Sequence, residues 1–416
     1  MDIKKDSPET KPLELREIGS TGLNRSYGEI HEEFLKELVG TRAIKVYKEM
    51  SNNDPTVGAM LHAISMLIRQ VEWTEEPASD DPKDVEAAEF LKSVRTGMEM
   101  TWPETINEIS SMLPNGFSLH EEVYTKREDG RIVWKKLPIR AQDTIMNWTF
   151  DDAGTLMSVT QQSPPDYRYR VLPMDKMLLF RTTSYKGNPM GKSILRNAYR
   201  PWHFKKNIEN IEGIGIERDL AGLPIAKVPA EIAGATSGPA LTTLNAIKKI
   251  VINIRRDEQE GVVFPLVYDE SGNELYKLEL LTSGGSRQFD TDKIVNRYDS
   301  RILMSMLADF ILLGHEKVGS FSLSSSKTAL FAASVGAWLT DIAEVFNRVA
   351  IPRLFKLNTF QVTKYPKLTH GDIETIDLAE LGQYIVNLTS SGVQMFPDEQ
   401  LENHLKRQAG LPTTQK

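Results

Sequence analysis

The 416-residue chain contains no cysteine. This absence excludes disulfide bonds, thiolate metal sites and cysteine nucleophiles. The sequence also shows no run that approaches the roughly 20 consecutive apolar residues of a membrane span. Residues 1–6 carry charged side chains where a signal peptide would have an apolar core. We therefore expect a protein that is made and kept in a cytoplasm and does not enter a membrane.

An excess of positive charge is missing as well. The chain has 50 Lys and Arg residues against 57 Asp and Glu residues, which gives a formal net charge of −7. Proteins that grip nucleic acid tightly neutralise many phosphates with Lys and Arg, so this balance argues against tight binding but not against weak contact. The length predicts two to four domains, or one elongated subunit with several parts.

Catalytic patterns are also absent. The sequence has no Gly-x-Ser-x-Gly elbow, and no two histidines flank a glutamate at a spacing of four residues. It therefore gives no support to a serine hydrolase with this elbow or to a zinc hydrolase. The segment 187–193 resembles a phosphate-binding loop, but only three residues separate its glycines and one is Pro189, which has no N–H to offer phosphate. We interpret it as a strand-to-helix turn and predict no enzyme activity, metal or cofactor.

Two apolar helical patterns between Ser286 and Asn347 stand out from the rest of the sequence. In the first, apolar residues recur at every fourth position from Ile294 to Phe310, which predicts a long helix capped by Asp290 or Thr291 and ended by Gly314. A second helix is predicted from Thr328 until Pro352 breaks it. The serine-rich segment 315–327 between them is either a solvated turn of a plain helical hairpin or a mobile loop presented to something that slides past or docks.

The remaining patterns predict a mixed architecture. Helical patterns run through Ile30–Leu38 and Val57–Ile68 and onward to Asn115-Gly116, after which alternating apolar residues predict an antiparallel meander through residue 181. A helical run from about Lys192 is interrupted by Pro201. A compact α/β insert follows at 225–281, and a strand-like piece at 360–363 precedes two short helices. Trp202 and Trp338 are expected to be packing residues.

Several of these segments together resemble a known family. The resemblance is carried by Gly187-Asn188-Pro189-Met190-Gly191, Leu195-Arg196, Tyr199-Arg200-Pro201-Trp202, Lys205-Lys206, Glu217-Arg218, Gly222-Leu223-Pro224, Leu388-Thr389-Ser390-Ser391-Gly392, Pro397 and Gly410-Leu411-Pro412. This set is similar to the Mu-type branch of the portal proteins of tailed bacteriophages. Portal proteins form a dodecameric ring at one capsid vertex, through which DNA is packaged and later ejected.

The resemblance implies an α+β fold and an elongated subunit that assembles as a ring. The implied parts are an N-terminal arm (1–28), a wing of helices followed by antiparallel strands (29–186), a first stem helix (187–221), a clip (222–285), a second stem helix (286–313), a tunnel loop (314–327), a long wing helix (328–358) and a crown (359–416).

The resemblance also implies which residues carry the function. The tunnel-loop residues that would approach DNA are Lys317, Ser320, Ser322, Ser324, Ser325, Ser326 and Lys327. The stem residues are Lys205, Lys206, Glu209, Glu212, Arg297 and Arg301. The clip residues that would dock a motor or adaptor are Lys248, Lys249, Arg255 and Arg256.

The implied partners are other copies of the chain, double-stranded DNA, the terminase large subunit, head-completion or adaptor proteins, and the major capsid and scaffolding proteins. The implied location is the portal vertex of the virion, after assembly in the cytoplasm of a bacterial host. Two other functions stay open at this point. A nucleic-acid-binding scaffold outside the virion predicts tight, salt-sensitive binding to duplex DNA, and an NTPase predicts turnover that is lost in Lys192→Ala.

Overall fold

The computed structural model describes residues 19–221, 223–254, 267–268, 272, 274–281, 290–308 and 321–373. The chain divides into two compact units. Unit 1 comprises Met1–Ala198 and Leu303–Lys416, and unit 2 comprises Tyr199–Ile302. Both units combine helices with strands, as the α+β class requires.

The first part of unit 1 is mainly helical. After the short strands β1 (Arg25–Ser26) and β2 (Glu29–Ile30) come α1 (Thr41–Asn53), α2 (Pro55–Gln70), β3 (Trp73–Glu76), α3 (Pro82–Thr96), α4 (Trp102–Ser110) and α5 (Met112–Asn115). The predicted start of α2 is confirmed, because the Asp54 carboxylate accepts the N–H groups of Thr56 and Val57 and Pro55 occupies the first turn. The helix predicted over Ile30–Leu38 does not form.

Seven strands follow, and they pair differently from a simple meander. They are β4 (Phe117–Glu121), β5 (Val123–Lys126), β6 (Ile132–Lys136), β7 (Ile145–Phe150), β8 (Leu156–Gln162), β9 (Tyr169–Pro173) and β10 (Met177–Arg181). Strands β5 and β6 form one antiparallel pair, β7, β8 and β9 form a three-stranded sheet, and β10 returns to pair with β4. The meander prediction was therefore wrong in its connections, and it missed β9, whose residues are mostly exposed on both faces and give no alternating pattern.

Unit 2 is a helical hairpin that carries a small α/β part. Its elements are α6 (Tyr199–Ala221), β11 (Leu223–Lys227), α7 (Ala230–Ala233), α8 (Gly238–Ile254), β12 (Lys277–Leu281) and α9 (Thr291–Ser305), the last of which runs on into unit 1. Strands β11 and β12 pair antiparallel, and α8 packs on β11. Pro201 does not interrupt a helix, because α6 begins at Tyr199 and the proline lies in its first turn, where a missing N–H is harmless.

Helix α9 begins as predicted but ends early. The Asp290 carboxylate accepts the N–H of Lys293 at 3.2 Å, which confirms Asp290 as a cap. The predicted end at Gly314 is wrong, because the helix stops at Ser305. Leu307 adopts a left-handed conformation (φ 61°), and the N–H of Ala308 donates to the Leu303 carbonyl at 2.9 Å. Together with a bond from the Leu307 N–H to the Met304 carbonyl (3.2 Å), this is a Schellman stop with leucine in the place usually taken by glycine.

The last long helix of unit 1 begins earlier than predicted. Helix α10 spans Phe321–Val345, continues through a π-helical turn at Phe346–Ala350, and joins α11 (Ile351–Lys356). The C-terminal half of the predicted loop is therefore helical, because serine is a tolerable helix former and a helix elongates easily once it is nucleated. Pro352 does not break the helix. A proline ring clashes with the regular hydrogen bonds of the preceding turn of an α-helix, and here that turn is π-helical.

Residues 329–356 are, contrary to the expectation from the sequence, long and apolar enough to cross a membrane by length and composition. Their buried members include Phe331, Val335, Leu339 and Ile342. Helix α10 packs against α2, β10 and β13 (Lys367–His370) of unit 1. We therefore interpret it as a core helix.

The segment assigned to the crown begins inside unit 1. Strand β13 pairs antiparallel with β3, so this strand replaces the strand-like piece predicted at 360–363. The two helices predicted beyond residue 373 lie outside the described residues, as does the first part of the N-terminal arm, residues 1–18.

Two buried polar groups fix the interior of unit 1. The His120 side chain is fully buried, and its ring nitrogens lie 2.6 Å from Ser118 Oγ and 2.8 Å from the Leu137 carbonyl oxygen. Arg353 of α11 donates to the buried Glu122 carboxylate at 2.8 Å. Burial raises the pKa of the Glu122 carboxyl, and the hydrogen bond from Arg353 opposes that rise.

Candidate functional site

Lys205 connects helices α6 and α9 inside unit 2. Its side chain is 3% exposed, and Nζ lies 2.6 Å from Asp299 Oδ1 on α9 and 3.9 Å from Glu209 Oε1 one turn along α6. A lysine buried to this extent needs a carboxylate partner, because removing an unpaired ammonium group from water costs several kcal/mol. Lys205 is thus a structural link between α6 and α9 and does not present its charge to solvent.

Further contacts continue this link along the hairpin. The Thr291 hydroxyl donates to the Glu212 carboxylate, and the rings of Phe204 and Tyr298 stack with their centroids 6.3 Å apart and their planes at 17°. The predicted stem residue Glu212 therefore acts within the hairpin. Sequence reasoning named Thr291 only as a possible helix cap and Tyr298 only as part of the apolar face of its helix, and it missed Asp299. A search for opposite charges between the two predicted helices would have suggested Asp299.

The exposed face of α9 carries three cations. Lys293, Arg297 and Arg301 recur every fourth residue, and all three are exposed. The guanidinium carbons of Arg297 and Arg301 lie 5.3 and 5.9 Å from the centre of the Tyr298 ring, which holds both groups by cation–π contact. We call Lys293, Arg297 and Arg301 the α9 basic stripe. The two arginines were predicted from the sequence and the lysine was not.

Two other predicted stem residues lie on the surface of α6. Lys206 is exposed and its Nζ lies 5.3 Å from the centre of the Trp202 ring, while Trp202 itself is buried. Glu209 is about half exposed and approaches Lys205. These side chains are accessible from solvent, unlike Lys205.

The small α/β part of unit 2 exposes lysines on two elements. Lys248 and Lys249 lie on the exposed side of α8, whereas Arg255 and Arg256 lie outside the described residues. On the adjacent strands, Glu279 accepts hydrogen bonds from Lys227 and Lys277, which lower the pKa of its carboxyl to about 2.

The predicted tunnel-loop residues fall into two groups. Lys317 and Ser320 lie outside the described residues. Ser322, Ser324, Ser325, Ser326 and Lys327 lie on the first turns of α10 and not on a loop. The placement of Lys317 and Ser320 in a DNA-facing loop therefore stays a prediction. The other five residues belong to a helix.

The glycine-containing segment 187–193 is a structural turn of unit 1. Gly191 has φ 57°, and a Cβ atom built on it would lie 2.2 Å from the Gly116 carbonyl oxygen. Gly116 is equally restricted, because its Cβ would lie 2.4 Å from the carbonyl oxygen of Met190. The Ser193 hydroxyl then donates to the Pro114 carbonyl at 2.6 Å. The glycines permit two backbones to touch, and the interpretation as a strand-to-helix turn is confirmed.

The residues that follow this segment contact the region before α1. Arg196 pairs with Glu33 through two hydrogen bonds, and its guanidinium carbon lies 5.3 Å from the centre of the Phe34 ring. Burial raises the pKa of the neighbouring Tyr47 hydroxyl to about 12.

The described residues contain no group of three or more His, Asp or Glu side chains that would hold a metal ion.

A family model described as the portal protein of Mu bacteriophage matches residues 44–408 of this chain. The chain belongs to this family of phage portal proteins. Portal proteins are structural components of phage particles and not enzymes, in agreement with the absence of a catalytic arrangement predicted above.

Solved structures of gene transfer agent particles contain chains with a similar fold. A chain from the virion of a native gene transfer agent particle has a TM-score of 0.51 and 11% sequence identity, and the match covers 89% of this portal chain and 94% of that chain. A chain from the neck of the same kind of particle, computed with C12 symmetry, gives a TM-score of 0.51 at 10% identity with the same coverage. An HK97-family phage portal protein from Corynebacterium diphtheriae gives 0.45 at 11% identity, covering 79% and 93% of the two chains.

Proposed function

We propose that this chain is the subunit of a closed, dodecameric portal ring that conducts double-stranded DNA at the capsid vertex during packaging and ejection. The observation that carries the proposal is the family match over residues 44–408. A chain of similar fold in a particle neck computed with C12 symmetry supports it. A ring needs two different, complementary surfaces on each subunit, and a rotation that closes the contact. The location that follows is the virion vertex, after assembly in the host cytoplasm.

Unit 2 supplies the stem and the clip of this ring. Helices α6 and α9 are the stem pair, and the small α/β part between them is the clip. The stem must keep its two helices in register while DNA is driven past it. The buried Lys205–Asp299 ion pair at 2.6 Å, the Thr291–Glu212 bond and the Phe204–Tyr298 stack support this role, because polar links of fixed geometry disfavour sliding by one turn.

The α9 basic stripe makes weak phosphate contacts inside the channel. Each neutralised phosphate adds affinity that depends on salt, and a channel that moves DNA in both directions functions only if that affinity stays low. Three cations per subunit on one helix, in a chain of net charge −7, agree with such transient contact. The contacts are to the phosphate backbone and carry no sequence information.

The clip docks the packaging motor first and the tail adaptor later. Lys248 and Lys249 on α8 present positive charge to a partner surface of opposite sign, and this partner is a terminase large subunit or a head-completion protein. The wing, which unit 1 forms, faces the capsid and scaffolding proteins. In this arrangement the DNA path and the docking surface use different elements of unit 2.

Mass measurement and imaging of the purified protein test the ring directly. We expect a particle of about twelve subunits with a central hole in negative-stain micrographs, stable at micromolar concentration over a range of salt. A monomer under all of these conditions, or an assembly without a hole, would refute the proposal.

Binding of a short DNA duplex separates the conduit from a nucleic-acid-binding scaffold. The conduit predicts weak binding that weakens further with salt, and the double variant Arg297→Gln/Arg301→Gln should reduce the slope of log affinity against log salt. Lys92→Gln, which removes an exposed cation from α3 in unit 1, is the matched control and should leave that slope unchanged. Tight binding that the double variant does not affect would favour the scaffold.

A further inference from the structure

Asparagine side chains close the outer edges of two strands in unit 1. At β6, the Asn358 side chain accepts the N–H of Ile132 and donates to the Ile132 carbonyl, both at 2.9 Å. At β13, the Asn347 side chain binds the backbone of Leu368 in the same way, at 2.8 and 2.9 Å. Such a contact occupies the N–H and C=O groups through which an edge strand would pair with another chain.

Strands β5 and β9 have no such closure. In the part of unit 1 that the structure describes, β9 pairs only with β8 and β5 only with β6, and their backbones form no hydrogen bond outside these pairs. The register locates free groups on β5. Because the backbone of Ile132 points away from β5, its partner Lys126 points its own N–H and C=O groups away from β6.

The side chains of β9 do not protect its open edge. Tyr169 and Val171 are 69% and 67% exposed, and their partners on β8 are uncharged. Edge strands that avoid other chains carry charged side chains, especially lysine. The charged residue of β9, Arg170, pairs with the Asp166 carboxylate at 2.8 Å, and the exposed Arg168 lies 3.9 Å from the same carboxylate. One carboxylate for two guanidinium groups leaves the start of β9 positive.

The turn that follows β5 exposes two acidic residues. Glu128 and Asp129 are exposed, and neither forms an ion pair with a residue that the structure describes. Arg127, which precedes them, is half-buried and donates to Ser93 of α3. Antiparallel pairing of β5 with β9 brings the end of one strand beside the start of the other, so these two carboxylates would meet the positive start of β9.

We propose that β9 of one subunit pairs antiparallel with β5 of the next subunit around the ring. The two edges are different surfaces of the chain, so the contact is heterologous and repeats in one direction, as a closed ring requires. Hydrogen bonds between the two main chains supply affinity, and the alternating side chains select the register. This inference rests on the proposed function, because the ring provides the neighbouring copy.

Introduced cysteines test the contact directly, because the chain has no cysteine of its own. Directly opposite residues of antiparallel strands have Cα atoms about 4.5–5.5 Å apart, within the reach of a disulfide. Val171→Cys is combined in turn with Val123→Cys, Tyr124→Cys, Thr125→Cys or Lys126→Cys, and the oxidised proteins are separated by electrophoresis without reductant. We expect a ladder of crosslinked subunits whose yield alternates along β5, with the facing position at least about tenfold above the positions beside it.

The matched control is Val171→Cys/Lys92→Cys, whose second cysteine lies on the exposed side of α3. This control should give no ladder, and a ladder equal to that of the β5 variants would overturn the contact. A dimer of Val171→Cys alone would also overturn it by showing that two β9 edges pair with each other. Equal yields at all four positions of β5 would show proximity without strand pairing and would have the same consequence.

The mass of each variant under reducing conditions separates this contact from the ring itself. Rings that give no ladder on oxidation would overturn the pairing of β5 with β9 and leave the ring intact. Monomers under all conditions would refute the ring and the contact together.

Discussion

Replacement of Lys205 by methionine is the sharpest test of how the hairpin of α6 and α9 is held together. Lys205→Met keeps a side chain of similar length and removes only the ammonium group. The variant therefore removes the ammonium group that lies 2.6 Å from the carboxylate of Asp299, whose side chain is 18% exposed. A second variant, Lys205→Met/Asp299→Leu, removes both charges.

The magnitude follows from the burial of the pair. Breaking a buried ion pair from one side costs about 3–5 kcal/mol, and we expect the lower end, about 3 kcal/mol, because Asp299 retains some contact with water. Replacing both partners by apolar residues is often neutral or stabilising, so the double variant should recover to within about 1 kcal/mol of the wild type. The exposed pair of Lys293 and Asp290 is the matched control, and Lys293→Met should have no measurable effect on stability.

Amide exchange read on peptides from α6 and α9 gives the local free energy of opening. A loss of about 3 kcal/mol corresponds to exchange roughly 100-fold faster in Lys205→Met, since each 1.4 kcal/mol is a factor of ten. The double variant should exchange at nearly the wild-type rate. If Lys205→Met and Lys293→Met behave alike, the buried pair does not hold α6 and α9 together and our account of this hairpin is wrong.

Three further changes test unit 1. Gly191→Ala should destabilise it by about 2–5 kcal/mol in denaturant unfolding, because the new Cβ meets the Gly116 carbonyl oxygen and the backbone is left-handed; unchanged stability would contradict this contact. Burial lowers the pKa of His120 from 6.5 to about 4, so its contribution is intact above pH 6.5 and up to about 3 kcal/mol is lost as the pH falls to 4. His120→Gln should flatten that part of the stability–pH curve, and an unaltered slope would refute the assignment. Arg353→Met should cost about 3 kcal/mol in thermal unfolding by removing the cation that pairs with the buried Glu122 carboxylate, whereas an unchanged melting temperature would show that the pair is not needed.

Local signals in the sequence were sufficient for the parts of the fold that depend on neighbouring residues. Three helix ends are determined by a few neighbouring residues, and all three predictions are confirmed. They are the start of α2 at Pro55 after Asp54, the end of α5 at Gly116 and the Asp290 cap of α9. The helical first quarter and the helix–strand pattern of unit 2 follow from apolar periodicity in the same way.

Features that depend on distant residues could not be predicted. Lys205 is exposed or buried according to whether Asp299, 94 positions later, lies beside it, and no local pattern contains that information. Strand β10 pairs with β4, but several strands of this region have the same alternation of apolar and polar residues, so the sequence does not show which two strands pair. Strand β9 has no buried face and hence no period of two, and the stop at Leu307 opposes the local preference that sequence reasoning relies on.

Unit 2 enters the chain after Ala198 and leaves it before Leu303, so it is a continuous insertion in a fold whose other residues come from both sides of it. An inserted segment that contributes its own internal contacts can change at its tip without altering the order of elements around it. The tip of unit 2 can therefore diverge in evolution while the framework on both sides of the insertion keeps its order of elements.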